Sequence, residues 1–292
     1  MTILLTGATG YIGGAVLDEL IAQDTAVTAL VRSAEAATTV RSRGADAEIV
    51  DLSDVATVRR LLQDADGAIH TASPGDAASG ALDAAVIDAV IAAFGGTGKA
   101  YVHTSGVWLW GSNTGFVDGS PLEPPAIVAW RVAQEHRLLD GAVAATIVAP
   151  GVVYGEGGGI PNAIVDAPGA GSGQVSLIGD GSAHWGLVHV RDLAQLYVLA
   201  LQSNPGGRLI GVSGTVSVAD LHRAAHPGAT LIPTSVADTR SRLGAEFADA
   251  LLLNQVVGEP LRASRLGWDP SRAALPDELS AGYRAQAGIH PA

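Results

Sequence analysis

The feature that most constrains the fold is an alternation of short apolar segments with longer helical ones through the first half of the chain. The short segments have the length of buried strands and cover 2–6, 26–32, 47–51, 67–73, 100–106 and 145–151. Apolar residues at helical spacing lie between them, over 54–64, 81–94 and 126–140 among others. Strands and helices in this order form right-handed crossovers, so the sequence predicts an α/β fold with a doubly wound parallel sheet.

The pattern changes after residue 150. Residues 155–174 are rich in glycine and proline and are expected to form a mobile loop. A helix over 189–203 is expected to pack back on the sheet, and shorter strand and helix signals follow it. We therefore predict one sheet domain over 1–150 and, over 151–292, a smaller C-terminal lobe that mainly binds substrate.

Composition disfavours several classes of partner. The net charge is −12, which argues against nucleic acid and anionic membranes because both attract clustered basic residues. The chain has no cysteine, so neither a disulfide nor a thiolate metal site can form. It starts with "MTILLTG", without a basic region before a long apolar run, and it has no apolar stretch of membrane-spanning length. We expect no signal peptide and no membrane span, and we predict a cytoplasmic protein.

A glycine-rich turn, "TGATGYIGG", directly follows the first predicted strand and opens a helix. Its glycines permit a tight turn and let the backbone N–H groups of the helix N-terminus approach an anion. This predicts a Rossmann-type dinucleotide site, with the pyrophosphate beside Gly7, Thr9, Gly10, Tyr11, Ile12 and Gly13. The alternative is a closely packed turn that binds no ligand.

The ends of the second and third predicted strands indicate which dinucleotide binds. The second strand ends in "VRS", and no acidic residue that could bind the ribose hydroxyls precedes Glu35. Arg32 could pair with a 2′-phosphate and Ser33 could add a hydroxyl, so we predict NADP(H) over NAD(H). Asp51 is a candidate for the adenine edge, with Leu52 beside it. The alternative for Arg32 is a solvated surface side chain.

These residues resemble the short-chain dehydrogenase/reductase superfamily, in particular its atypical and extended, NAD-dependent epimerase/dehydratase-like members. Besides the glycine turn, the similar segments are "IHTAS", "YVHTSG", "VAPGVVYGEG", "LVHVRDLAQLYVLAL" and "RLGWDP". The resemblance implies redox or epimerase chemistry on a small molecule, with Ser105 at the position of the catalytic serine. It also implies that cofactor contacts include Thr71, Ala72, Ser73, Pro150, Gly151 and Val153.

The same resemblance predicts a tyrosine, and a lysine four residues later, on the helix after the fifth strand. This sequence has Ile127 and Arg131 there, and its only lysine is Lys99. In similar atypical proteins a histidine and an arginine take these positions, and this chain keeps only the arginine. Arg131 can still bind the two ribose hydroxyls, but it cannot relay a proton. The alternative is a surface arginine that pairs with Glu135, one turn further on.

Ser105, Tyr154 and Arg131 are therefore the predicted catalytic residues. Ser105 could donate a hydrogen bond to a substrate carbonyl or imine, or it could only cap its strand. Tyr154 is the phenol that could replace the missing acid, although packing in the pocket is the plainer interpretation. His103 is two residues before Ser105, so both should share one face of the strand, with His103 as a core residue.

Aromatic residues and histidines in the matching segments predict a substrate pocket. "VWLW" alternates, so Trp108 and Trp110 would share a face if this segment is extended. Ordinary core packing is the alternative. His184 and His189 are further acid/base candidates, His136 should be exposed, and no pair of these histidines has the spacing and acidic neighbour that would predict a metal site. The predicted pocket comprises Trp108, Trp110, Tyr154, Trp185 and His189.

The sequence thus predicts an NADP(H)-dependent oxidoreductase that reduces a small, fairly apolar carbonyl or imine compound without the usual tyrosine and lysine. The alternative is a non-catalytic NADP(H)-binding sensor or regulatory protein. A nucleotide-sugar epimerase is disfavoured, because an epimerase must first oxidise a hydroxyl and this chain lacks the tyrosine that would act as the base in that step. Helices 81–94 and 126–140 could pair across the axis of a homodimer, as the resemblance implies.

Overall fold

The fold is built around one parallel sheet. The computed structural model describes residues 1–259 and 261–283. Within these residues the strands are β1 (Thr2–Thr6), β2 (Ala26–Val31), β3 (Asp46–Ile49), β4 (Gly67–His70), β5 (Ala100–Thr104), β6 (Asn113–Phe116), β7 (Ala144–Pro150), β8 (Val152–Tyr154), β9 (Gln174–Ser176), β10 (His184–His189), β11 (Gly207–Gly211), β12 (Gly214–Ser217), β13 (Thr230–Ile232) and β14 (Gln255–Val257).

The helices follow the predicted order between these strands. They are α1 (Tyr11–Ala22), α2 (Ala34–Ser42), α3 (Val55–Asp64), α4 (Ser79–Phe94), α5 (Ala126–Leu139), α6 (Asn162–Val165), α7 (Val190–Ser203), α8 (Val218–Ala225), α9 (Val236–Leu243), α10 (Ala245–Leu251), α11 (Arg262–Arg265) and α12 (Leu275–Ser280). A 3₁₀ turn covers Val107–Trp110. No helix in this part of the chain is both long and apolar enough to cross a bilayer.

The central sheet has seven parallel strands in the order β11-β7-β5-β4-β1-β2-β3, which confirms the predicted fold class. The chain runs outward from β1 through β2 to β3 and then crosses to β4 on the other side of β1. The direction of winding therefore reverses between β1 and β4. The carboxyl ends of these two strands form the crevice in which sheets of this kind bind ligands.

Helices cover both faces of the sheet. In β1, Ile3 and Leu5 belong to the core cluster that includes α1 and α7, whereas Leu4 belongs to the cluster that includes α3 and α4. This alternation is expected for a strand that is buried on both faces. The helix predicted over 189–203 packs on the sheet as α7, where the buried Tyr197 donates a hydrogen bond to Thr104 of β5 over 2.8 Å. A homodimer through α4 and α5 stays a prediction.

The seventh strand of the sheet comes from a segment that the sequence assigned to the lobe. β11 pairs with β7, with Gly207 opposite Thr146 and Gly211 opposite Pro150. The segment, "GRLIG", is short and flanked by glycines, so its strand signal is weak. α7 and β11 therefore belong to the sheet layer although both follow residue 150. The domain boundary itself stays a prediction.

A further hydrophobic cluster lies beyond the carboxyl edge of the sheet. It is built on a three-stranded sheet in the order β12-β10-β8, with α6, α8, α10 and α12 around it. The segment 155–174, expected to form a mobile loop, contains the short helix α6, and β9 begins at its last residue. The glycines of this segment instead supply turns, since Gly155, Gly157 and Gly159 all have positive φ.

Candidate functional site

The glycine turn brings the start of α1 against β1 and β4. Gly7 has φ +76°, and a Cβ there would lie 2.6 Å from Thr71 Oγ1. A Cβ on Gly13 would lie only 2.1 Å from the Gly7 carbonyl oxygen. Gly10 precedes the first helical residue and donates to the Gly7 carbonyl over 2.8 Å. The turn can therefore close this tightly only with glycine at both Gly7 and Gly13.

The N-terminus of α1 is suited to an anion. No side chain of the described residues caps it, and its first turn contains no acidic residue. The first N–H groups of a helix have no partner within the helix, and the helix dipole favours negative charge there. Thr9 is exposed and Ile12 is partly buried beside this end of the helix.

Tyr11 connects the turn to the glycine-rich segment after β8. Its hydroxyl donates to the Gly155 carbonyl over 2.7 Å, and a Cβ on Gly158 would meet its ring at 2.7 Å. Arg191 of α7 holds the same segment, because it donates to Glu156 over 2.5 Å and to Asp18 of α1 over 2.7 Å. The segment thus lies against the glycine turn. The sequence did not predict this arrangement.

The residues predicted to choose the dinucleotide lie at the carboxyl ends of β2 and β3. Arg32 is exposed and has no hydrogen-bond or ion-pair partner among the described residues. Ser33 caps α2, and its hydroxyl accepts from the Ala36 N–H over 3.2 Å. Asp51 is exposed and accepts from the N–H and the hydroxyl of Ser53, which lower the pKa of its carboxyl. Leu52 is buried beside it.

The predicted contacts after β4 and β7 lie at the same edge of the sheet. Thr71 Oγ1 donates to the Thr6 carbonyl over 2.8 Å and touches the glycine turn. The Ala72 N–H donates to Thr6 Oγ1 over 3.3 Å, and Ser73 Oγ bonds Ser79 Oγ over 3.2 Å. Pro150, Gly151 and Val153 follow as β7 passes into β8.

Arg131 reaches the carboxyl end of β5. Its Nη1 donates to the Thr104 carbonyl over 2.9 Å, and its guanidinium lies 4.4 Å from the centroid of the Trp130 ring. Burial lowers the pKa of the guanidinium, although not enough to discharge a group of this kind. The alternative pairing with Glu135 is wrong, because Glu135 has other partners. The remaining N–H groups of Arg131 have no acceptor among the described residues.

Glu135 is fully buried and has two partners. It accepts from Arg208 Nε over 2.6 Å and from the Ser105 hydroxyl through a short hydrogen bond. Arg208 lies on β11, the strand missed by the sequence prediction, so nothing in the local pattern indicated this triad. A hydroxyl has one proton, and here it points to a carboxylate. The predicted donation from Ser105 to a substrate is therefore wrong for this arrangement, in which Ser105 can only accept.

Tyr154 of β8 and His189 of β10 lie opposite each other in the three-stranded sheet. Tyr154 is buried, and its hydroxyl donates to the Ala273 carbonyl over 2.9 Å. Burial raises the pKa of this phenol to about 12. His189 caps α7, because its Nδ1 accepts from the Arg191 N–H over 3.1 Å, and its ring meets the edge of Tyr154. The structure gives the Tyr154 proton to a protein carbonyl, so it does not place this residue as a free acid.

The tryptophan pocket is largely core. Trp108 and Trp110 do not share a face, because their segment is a 3₁₀ turn and not extended. Trp110 is 1% exposed and stacks on Phe116, whereas Trp108 is partly buried against Phe247. Trp185 is buried and its indole N–H donates to the Leu251 carbonyl over 2.9 Å. Only Trp108 keeps some exposed surface among these three.

The histidines differ in their surroundings. His184 Nδ1 lies 3.1 Å from Asn254 Oδ1, and His136 is exposed as expected. His103 is a fully buried core residue, as expected, but it has an acidic neighbour that the sequence spacing did not indicate. Its Nε2 lies 3.4 Å from Asp83 Oδ2, and His70 Nε2 lies 3.3 Å from the other oxygen of Asp83. The sequence could not show this cluster, since its members lie on β4, α4 and β5.

Comparison with known proteins is consistent with this geometry. A family model described as NAD(P)H-binding matches residues 7–178, more than half of the chain. Uncharacterized protein C2A9.02 of Schizosaccharomyces pombe is 28% identical over 290 residues, 96% of this chain and 98% of that protein. Uncharacterized protein YLL056C of Saccharomyces cerevisiae is 27% identical over 296 residues, 97% of this chain and 99% of that protein.

Solved epimerase structures share the fold. A UDP-glucose 4-epimerase of Thermus thermophilus in complex with NAD has a TM-score of 0.71 and 19% identity, over 96% of this chain and 97% of that one. A UDP-glucuronic acid 4-epimerase variant of Bacillus cereus, also with NAD, has a TM-score of 0.74 and 17% identity, over 97% of this chain and 98% of that one. At this identity the likeness shows the fold alone.

Proposed function

This chain belongs to the NAD(P)H-binding family, which confirms the predicted resemblance to the short-chain dehydrogenase/reductase superfamily, and we propose that it is an NADP(H)-dependent reductase of a small, fairly apolar carbonyl or imine compound. One observation carries the choice of NADP(H): the exposed Arg32 stands without a partner among the described residues at the end of β2, where an acidic residue would be needed for NAD(H).

The residues of the cleft fit such a dinucleotide. The glycine turn and the uncapped N-terminus of α1 offer backbone N–H groups to the pyrophosphate. Arg32 and the Ser33 hydroxyl would hold the 2′-phosphate at the start of α2. Asp51 would contact the adenine edge. Arg131 would bind the nicotinamide ribose with the N–H groups that it does not use on Thr104.

The bound cofactor supplies the two electrons as a hydride equivalent, so this chain has to orient the substrate and manage its proton. The Ser105 hydroxyl donates a hydrogen bond to Glu135, and its lone pairs remain available to accept a hydrogen bond from a substrate. The Tyr154 hydroxyl donates a hydrogen bond to the Ala273 carbonyl. A substrate that already carries its proton, such as a protonated imine, needs no acid from the protein. A neutral carbonyl compound would need a proton from water.

A pair of arginine variants tests the cofactor assignment. Arg32→Ala removes a charge-assisted contact worth about 1.5–3 kcal/mol. We therefore expect the dissociation constant to rise roughly 10- to 150-fold for NADPH and to stay unchanged for NADH. Arg60→Ala removes another exposed arginine, from α3, and serves as the control. Equal losses for both dinucleotides in Arg32→Ala, or equal losses in the two variants, would contradict the 2′-phosphate site.

Consumption of NADPH with panels of imines, ketones and enones tests the reaction. Turnover with any one of these classes supports a reductase. The engaged protons of Ser105 and Tyr154 favour a second candidate, a non-catalytic NADP(H)-binding sensor or regulatory protein. That candidate predicts tight cofactor binding, similar affinity for the oxidised and reduced forms, and no turnover with any class. Absence of binding to any pyridine nucleotide would contradict both.

A further inference from the structure

Three potential metal ligands converge beneath the cofactor cleft, outside the machinery described so far. His70 lies at the end of β4, His103 lies opposite it on β5, and Asp83 comes from α4, which covers this face of the sheet. Their donor atoms all lie within 4.8 Å of one another. The three residues are 1%, 0% and 5% exposed, in the order His70, His103 and Asp83, so water cannot compensate for poor contacts among them.

The distances within this cluster are long for hydrogen bonds. The two Nε2–Oδ separations are 3.3 and 3.4 Å, whereas a charge-assisted N–H···O bond is about 2.7–2.9 Å long. Among the described residues, His70 Nε2, His103 Nε2 and Asp83 Oδ2 have no hydrogen-bond partner. Zinc binds nitrogen and oxygen at about 2.0–2.1 Å, and two tetrahedral ligands at that radius are about 3.3–3.4 Å apart. Each ring nitrogen is therefore as far from its nearest carboxylate oxygen as two ligands of one ion are from each other.

The outer ring nitrogens of both histidines are held. His70 Nδ1 lies 2.7 Å from Thr6 Oγ1, and His103 Nδ1 lies 3.0 Å from the Tyr101 hydroxyl. Such contacts fix the orientation of the rings and leave each Nε2 directed at Asp83. Histidines that bind metals almost always have a partner of this kind on the second nitrogen.

We propose that His70, Asp83 and His103 bind one divalent transition-metal ion, with zinc as the preferred ion. Two imidazoles and one carboxylate are ligands that suit zinc and the neighbouring first-row metals, whereas calcium and magnesium prefer oxygen ligands alone. The ion neutralises a buried carboxylate and satisfies two buried ring nitrogens at once. It joins β4, β5 and α4 one residue below Thr71 and two residues below Ser105.

The test uses the full-length protein after treatment with a chelator and dialysis. Zn²⁺ is added, and the bound metal is counted by mass spectrometry. Co²⁺ is then used in place of Zn²⁺, because its visible absorption reports the ligand geometry. We expect one ion per chain, visible absorption from bound cobalt and a higher melting temperature with either metal. None of these readouts depends on enzymatic activity. No retained metal and an unchanged melting temperature in the unmodified protein would overturn the proposal without any variant.

Two variants locate the ion. Asp83→Asn keeps the shape of the side chain but removes the charge, so it should abolish the cobalt spectrum and the thermal shift. His136→Gln removes an exposed histidine on α5 and should leave both unchanged. If Asp83→Asn does not fold, His70→Gln serves the same purpose. Metal that is bound equally by the cluster variants and the native protein would place the ion elsewhere and refute this site.

Discussion

Two neighbouring glycines of α1 test the close packing of the glycine turn. Gly13→Ala and Gly14→Ala should each gain up to about 1 kcal/mol in helix propensity, since both positions are helical. The Cβ introduced by Gly13→Ala would lie 2.1 Å from the Gly7 carbonyl oxygen, where ordinary contact begins at 3.4 Å, a shortfall of about 1.3 Å against backbone. At Gly14 the nearest atom is Arg43 Nη1, at 3.3 Å, which is the end of a flexible side chain.

The free energy of unfolding should therefore change in opposite directions. Overpacking against backbone costs about 1–3 kcal/mol or more, so we expect Gly13→Ala to be about 1–2 kcal/mol less stable than the native chain, and Gly14→Ala to be as stable or slightly more stable. Urea unfolding followed by circular dichroism, with the midpoints compared at equal slope, measures both. NADPH binding should weaken only in Gly13→Ala. A Gly13→Ala variant as stable as Gly14→Ala would refute the steric reasoning.

Two further predictions concern buried charge. Arg208→Leu leaves the buried Glu135 with Ser105 as its only partner among the described residues. We expect the free energy of unfolding in urea to fall by about 3–5 kcal/mol, and an unchanged midpoint would mean that the ion pair is not formed. Burial lowers the pKa of His222 from 6.5 to about 4, so the folded state keeps it neutral while the unfolded state binds a proton below pH 6.5. Stability should then rise by about 3 kcal/mol from pH 4 to 6.5, and the rise should be smaller in His222→Leu, as unfolding at several pH values would show.

Features that depend on neighbouring residues could be predicted from the sequence. The glycine turn is such a feature, because the steric demand for Gly7 and Gly13 is reflected in the local spacing. The alternation of strands and helices is another, since short apolar runs indicate strands buried on both faces and a period of 3.6 residues indicates the buried face of a helix. α4 and α5 were located to within two residues for this reason.

Contacts between distant segments could not be predicted in this way. Glu135 meets Arg208 across 73 positions of the chain, and the partner lies on a short strand between glycines. The prediction for Trp108 and Trp110 failed for a different reason, because alternation over four residues is compatible with both an extended strand and a 3₁₀ turn. The glycine turn could therefore be predicted from the sequence better than the surroundings of Ser105 and the tryptophans.

The hydrogen bond from Ser105 to Glu135 has a consequence for substrate choice. Because the Ser105 hydroxyl donates its hydrogen bond to Glu135, Ser105 Oγ presents only lone pairs to a substrate. These lone pairs repel a carbonyl oxygen and attract the N–H of a protonated imine. A hydrogen bond to a charged group contributes about 1.5–3 kcal/mol, so Ser105→Ala should lower kcat/KM for an imine by roughly 10- to 150-fold. The same change removes the repulsion of a carbonyl oxygen, so kcat/KM for a ketone of similar shape should stay the same or rise, which makes the ratio of the two an internal control. Equal losses for imine and ketone would show that Ser105 does not distinguish them by the direction of its proton.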